Sequence, residues 1–179
     1  MTTTTRLQKA VAVLKGLESD INAAKGLNSQ PPVYGILAGG CARDVHFGLE
    51  PKDWDIMFGR DVTLSQIEFS LSENGICGWK VFHFYNKGLN DRIKLCVKFN
   101  FEGEAFDVLV YDVDEAFSAV DMFDFNLNQF FISRREDHPA VYAGTTNLSQ
   151  LVAIRGDHSP ERGAKMQGKH TQLRMEGKL

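Results

Sequence analysis

Leu7, Val11, Leu14, Leu17 and Ile21 recur at spacings of three and four, which predicts an amphipathic helix over residues 5–26. A loop from Asn28 to Pro32 separates it from an unbroken apolar run, Val33 to Ala38, read as a buried strand. That run ends in Gly39-Gly40, and Cys41 to Phe47 reads as a short helix closed by Gly48. Trp54 to Phe58 is a second strand, and residues 63–74 are helical, with Thr63 as cap and Ile67 and Leu71 four apart. Three β-like runs follow, Trp79–Tyr85, Arg92–Phe101 and Ala105–Tyr111. In the middle one Ile93, Leu95, Val97 and Phe99 alternate with Lys94, Cys96 and Lys98, the pattern of a strand with one solvated face. Residues 113–119 and part of 120–128 are predicted helical. Gln129 to Arg134 and Val141–Tyr142 then form a hairpin around a turn at Glu136–Pro139. A loop (Gly144 to Asn147) leads to a helical 148–154, and 160–173 is a polar, basic helix or a frayed tail. The expected class is α+β, with a mixed, mostly antiparallel sheet flanked by helices and a short C-terminal helical appendage.

The 179 residues, 43% hydrophobic and 24% charged, suit one globular domain with a short appendage. A net charge of −3 excludes a uniformly basic nucleic-acid coat, but charge is placed unevenly. Phe101 to Asp124 holds eight acids and no Lys or Arg, whereas Arg155 to Leu179 holds six basic and three acidic residues. That asymmetry fits either an enzyme working on polyanions with metal or simple segregation of solvated charge. Cys41, Cys77 and Cys96 are odd in number and far apart, which argues against a disulfide framework or zinc site and fits a reducing cytoplasm. The N-terminal Met-Thr-Thr-Thr-Thr-Arg lacks the apolar core of a signal peptide, and no apolar run suffices to cross a bilayer. A cytoplasmic protein without a membrane partner is expected.

The chemistry concentrates where Gly39-Gly40 joins strand to helix and where Lys52-Asp-Trp-Asp-Ile-Met-Phe58 opens the next strand. Glycines at such a junction let the backbone approach a phosphate, and the new helix offers N–H groups and a favourable dipole. Successive strand side chains alternate faces, so Asp53 and Asp55 share one face while Trp54 turns away. Paired carboxylates above a phosphate site suit divalent cations. Asp107, one acid embedded in Phe106-Asp-Val-Leu-Val110, is either a third metal ligand or the partner of Lys94 or Lys98. Arg43 is either a phosphate hand or a surface residue, and Asp44 is a favourable early-helix acid or a site residue. The five histidines show no ligand spacing, and no Walker loop, Gly-x-Gly-x-x-Gly or nucleophile elbow is present. The aromatics of Phe82 to Tyr85 and Phe123 to Phe131 read as core, with base stacking as the alternative.

Gly39-Gly40-x-x-Arg43-Asp44 followed by Asp53-x-Asp55 resembles the head domain of the DNA polymerase beta-like nucleotidyltransferases, nearest to bacterial-type CCA-adding enzymes and poly(A) polymerases. Asp124-Phe-Asn-Leu-Asn128 is similar to that branch's Asp-Phe-Thr-Ile-Asn segment, and Ile154-Arg-Gly-Asp157 and Ser159-Pro-x-Arg162-x-x-Lys165 are faintly similar to the start of its neck. The resemblance covers roughly residues 30–170. It implies an N-terminal helix over 1–28, a catalytic domain over 29–145 and a neck-like segment with basic tail over 146–179. It further implies transfer of a nucleoside monophosphate from a nucleoside triphosphate to a hydroxyl acceptor, with release of pyrophosphate. Two Mg²⁺ ions, replaceable by Mn²⁺, would sit on Asp53, Asp55 and Asp107. Gly39, Gly40, Arg43 and Asp44 would meet the nucleotide, Asp124 and Asn128 would order the sugar or the site wall, and Arg162 would read the base. The sequence departs from that branch at Met122-Phe123, where two arginines are usual, and at His158-Ser159, where Glu-Asp is usual. The expected acceptor is therefore an RNA or tRNA 3′ end or a smaller hydroxyl compound. The alternatives are a non-catalytic nucleotide- or RNA-binding module and a toxin-like enzyme that nucleotidylates tRNA or protein.

Overall fold

The computed structural model describes residues 3–25, 31–83, 92–133 and 139–179. The first helix, α1 (Thr3–Lys25), is followed by β1 (Ile36–Leu37), α2 (Gly40–His46), β2 (Trp54–Phe58) and α3 (Leu64–Glu73). Then come β3 (Lys80–His83), β4 (Ile93–Phe101) and β5 (Glu104–Tyr111), two 3₁₀ turns, β6 (Phe130–Ile132), β7 (Ala140–Tyr142) and α4 (Pro160–Met175). One sheet runs β1-β2-β5-β4-β3, and β6 and β7 form a separate hairpin. Only β2 and β5 pair in parallel in the five-stranded sheet; its other pairings are antiparallel. The expected α+β fold with a mixed, mostly antiparallel sheet is what forms.

Alternation along the strands divides the sheet into two faces. Trp54, Ile56 and Phe58 of β2 and Phe106, Val108 and Val110 of β5 join the main core, to which α1 adds Ala10, Leu14, Leu17 and Ile21 and α3 adds Ile67 and Leu71. Met57 and Tyr111 belong instead to a second cluster, with Val120 and Phe123 of the chain after β5. Asp55 and Asp107 sit on that second face as direct Cα partners in the β2–β5 register.

The strand expected over Val33 to Ala38 is shorter, because the segment changes partners as it runs. Gly35 packs so closely under Phe58 and Leu14 that a Cβ there would lie 2.7 Å from the Phe58 ring. Ile36 and Leu37 pair with β2, Ala38 then bridges to Phe131, and the Gly39 N–H donates to the Phe130 carbonyl at 2.8 Å. Thr63 caps α3 as expected, in a reciprocal capping box with Gln66. The helix expected over 148–154 does not form. Residues 148–150 turn and the rest runs beside 124–126, with the Asn126 side chain bonding the Val152 N–H and the Gln150 carbonyl. The helix expected over 113–119 is a 3₁₀ segment at Ala116–Met122. The end of the strand expected to reach Tyr85 and most of the turn at Glu136–Pro139 lie outside the described residues. Among the described residues no helix is long and apolar enough to cross a membrane.

α1 is tied to the sheet by one buried acid. Glu104, 7% exposed, accepts from Arg6 Nε at 2.7 Å and from Trp54 Nε1 at 3.1 Å. Removing one partner of a buried pair strands the other charge. Arg6→Met is therefore expected to lower the unfolding free energy by about 3 kcal/mol in urea titration. The double replacement Arg6→Met/Glu104→Gln should recover a good part of that loss.

Candidate active site

The cleft opens on the sheet face that α1 and α3 do not cover, between β2, the start of α2 and the length of α4. It has a volume of about 820 Å³. Gly39, at φ +87°, makes the turn into α2 in a conformation that L side chains rarely adopt. A Cβ at this position would lie 3.6 Å from Asp55 Oδ2. The glycine therefore puts bare backbone directly beside the carboxylate, as the two motifs predicted from opposite ends.

Asp53 and Asp55 both line the cleft. Burial raises the Asp55 carboxyl, repulsion from Asp53 and Asp107 raises it further, and Lys98 and Arg162 only partly offset this; it is pushed up to about 7. Asp107 is adjacent in register but its carboxylate is turned to Lys98, which lies opposite it on β4. Of the two partners the sequence offered Asp107, Lys98 is the one used; Lys94 pairs with Asp112 at 2.9 Å. Among the described residues no three His, Cys, Asp or Glu side chains are grouped to hold a metal. Asp53 and Asp55 nevertheless fit a divalent cation, being hard oxygen donors on the cleft wall whose mutual repulsion a cation would relieve. Asp107 would join them only by exchanging its lysine.

The arginines of the cleft are individually held. Arg43, 8% exposed, donates from Nε and Nη2 to Asp44 Oδ1, both at 2.9 Å, and from Nη1 to Asn128 Oδ1 at 2.9 Å. Asn128 in turn donates to Asp124 Oδ1 at 3.0 Å, and Asp124 accepts from Arg162 Nε at 2.6 Å. Burial works against the Asp124 charge, but the Arg162 hydrogen bond and charge and the Asn128 amide outweigh it and hold its carboxyl below the usual range. Arg43, Asp44, Asn128, Asp124 and Arg162 thus form one chain of polar contacts from α2 to α4. All ten residues singled out in the sequence except Asp107 line the cleft.

Sequence reasoning missed Lys169 and Arg92. Lys169 reaches Asp44 Oδ1 at 3.3 Å, and Asp157 accepts from Arg92 Nη2 at 3.0 and 3.1 Å on the cleft wall. The spacing of Arg162, Lys165, Lys169 and Gln172 along a polar helix was the available signal for the α4 face.

Asp55 also has a consequence for stability. Its carboxyl titrates near 7 in the fold against an ordinary 3.8, so its folded form resists ionisation. The stability it contributes is complete below about pH 4 and is lost as pH rises through about 7, by up to about 4 kcal/mol. In EDTA, Asp55→Asn is expected to match the wild type near pH 4 and to exceed it by about 1–4 kcal/mol near pH 8 in urea titrations. Equal stability at the alkaline end would contradict the geometry.

No family model matches the sequence, and no curated protein matches it. Solved structures do match. The CCA-adding enzyme of Bacillus stearothermophilus in complex with CTP aligns at 14% identity and TM-score 0.51 over 94% of this chain and 36% of that one. A CCA-adding enzyme with ATP aligns at 15% identity and TM-score 0.49 over 74% of this chain and 29% of that one. The Thermotoga maritima CCA-adding enzyme complexed with tRNA aligns at 15% identity and TM-score 0.48 over 86% of this chain and 32% of that one. This chain spans about a third of the length of those proteins. At such identities the likeness is one of fold alone, shared with a part of the Bacillus stearothermophilus CCA-adding enzyme.

Proposed function

We propose that the chain is a divalent-cation-dependent nucleotidyltransferase that moves a nucleoside monophosphate from a nucleoside triphosphate to a hydroxyl acceptor. The observation that carries this reading is Asp55 beside the bare backbone of Gly39, with Asp53 next to it, at the wall of a cleft of about 820 Å³. Asp53 and Asp55 would hold Mg²⁺ or Mn²⁺, which when bound supplies Lewis-acid polarisation of phosphoryl oxygens. Gly39 and Gly40 let the phosphates approach the main chain, since neither carries a side chain and Gly39 turns at φ +87°. Asp124, Asn128 and Arg162 brace the wall against which sugar and base would rest. Arg43, locked by Asp44 and Asn128, places fixed positive charge under the glycine turn. The structural neighbour at TM-score 0.51 is in complex with CTP, which favours a nucleoside triphosphate as donor; the acceptor proposed is an RNA or tRNA 3′ end or another hydroxyl compound.

The Lys98–Asp107 ion pair favours a second reading, a nucleotide-binding module without transfer, because it occupies the carboxylate a third metal ligand would need. One assay separates the two. The protein is incubated with each α-³²P-labelled NTP, Mg²⁺ or Mn²⁺ and bulk RNA. Wild type is expected to label RNA, or protein if the acceptor is a polypeptide. Asp53→Ala and Asp55→Ala should each cut incorporation by roughly 10³-fold with circular dichroism unchanged. Nucleotide binding without transfer, unaltered by Asp55→Asn, would establish the binding module instead.

A further inference from the structure

Six cationic side chains line the cleft: Arg43, Lys52, Arg92, Arg162, Lys165 and Lys169. Each of the three arginines is held by an aspartate, Arg43 by Asp44, Arg162 by Asp124 and Arg92 by Asp157, the last shared with Arg155. These ion pairs fix the guanidinium groups in place. The lysines of α4 are placed differently. Met166, His170 and Leu173 are the buried residues of that helix, and Lys165, Lys169 and Gln172 form the neighbouring stripe that turns into the cleft. Lys165 and Lys169 lie one turn apart, about 6 Å along the axis. Lys165 has no carboxylate partner among the described residues. Lys169, with 23% of its side chain exposed, rests 3.3 Å from Asp44 Oδ1, an oxygen that already accepts twice from Arg43. One carboxylate facing two cations leaves net positive charge at that point, which a polyanion entering the cleft would offset.

We propose that Lys165 and Lys169 hold the polyphosphate of the bound nucleotide, with Asp44 as the positioning residue that keeps Lys169 against α2. This deepens the nucleotidyltransferase reading and rests on it. The ammonium groups suit the task because each is a compact charge on a long stem, able to follow a flexible chain of phosphates. Phosphates of a nucleic-acid backbone offer the same chemistry. The nucleotide is favoured because Lys169 is half-buried and tied to Asp44, in the helix that Gly39 and Gly40 begin, rather than spread over the outer surface.

The test is calorimetric titration of the 179-residue chain with inorganic tripolyphosphate and with ATP, each in Mg²⁺, alongside a fluorescent single-stranded RNA. Lys165→Gln and Lys169→Gln are each expected to weaken tripolyphosphate and ATP about tenfold, and the pair about a hundredfold. Lys165→Arg should keep affinity within about threefold, because it restores the charge. Lys165 is exposed, so its variants remain informative even if Lys169→Gln unfolds the chain. Wild-type affinity for tripolyphosphate in the double variant, or no such binding by the wild type, overturns the proposal. A loss confined to RNA overturns it too, assigning the lysines to the acceptor. A chain that grips tripolyphosphate through these lysines yet transfers no label would sink the activity and keep this site. Transfer by variants that still bind tripolyphosphate normally would do the reverse.

Discussion

Parallel pairing of β2 with β5 sets Asp55 beside Asp107 on the one sheet face that α1 and α3 leave uncovered, and the polar groups of the cleft answer to that charge. Had the pairing slipped by one residue, the shifted strand would have turned its acid into the apolar core and brought its apolar residues to the cleft face. The register is held by that core, since Trp54, Ile56 and Phe58 on one strand and Phe106, Val108 and Val110 on the other are all buried on the same side. Hydrophobic alternation thus does the aiming, and electrostatic repulsion is the result. The raised Asp55 carboxyl reflects its burial first, and then its repulsion by Asp53 and Asp107.

Two devices accommodate the acids. Lys98 on β4 neutralises Asp107 from across the sheet. Around the rest of the cleft each arginine is braced by an aspartate, with Asp157 serving both Arg92 and Arg155. α4 adds Lys165 and Lys169 to this wall. The helix joins the site through packing as well as charge. Met166 and Leu173 form a small core with Phe125 and Leu127, and Asn128 donates a weak bond to the Met166 sulfur at 3.7 Å. Asp124, Phe125 and Asn128 therefore serve two ends at once, carrying the polar chain to Arg162 and seating the helix that supplies Lys165 and Lys169.

Periodicity and turn chemistry made most of the fold legible in the sequence, because those signals are local. Trp54–Phe58 is found with the bounds predicted, the capping box of Thr63 starts α3, and β4, β5 and α1 differ from expectation only at their ends. Gly39 and Asp55 were likewise readable, as a positive-φ turn and a strand alternation each follow from adjacent residues, whereas Asp53 reaches the cleft from a bend just before β2. Residues 148–154 misled for the opposite reason. Their composition allows a helix, but Asn126, far away in sequence, claims their backbone polar groups.

The identity of the acids and glycines, their spacing and the faces they occupy were set by the chain itself. Which cation each acid would meet was not. Lys94 and Lys98 are equivalent by alternation, and only the antiparallel register of β4 with β5 puts Lys98 opposite Asp107 and leaves Lys94 to Asp112. Arg43 could not be assigned before Asn128 and Asp44 were seen to enclose it, and Lys169 gave no sign of reaching Asp44 from 125 positions away. Local geometry is fixed by covalent neighbours and repeats of two or 3.6 residues. Charge pairing across a cleft depends instead on how distant elements pack, and no short window of sequence contains that.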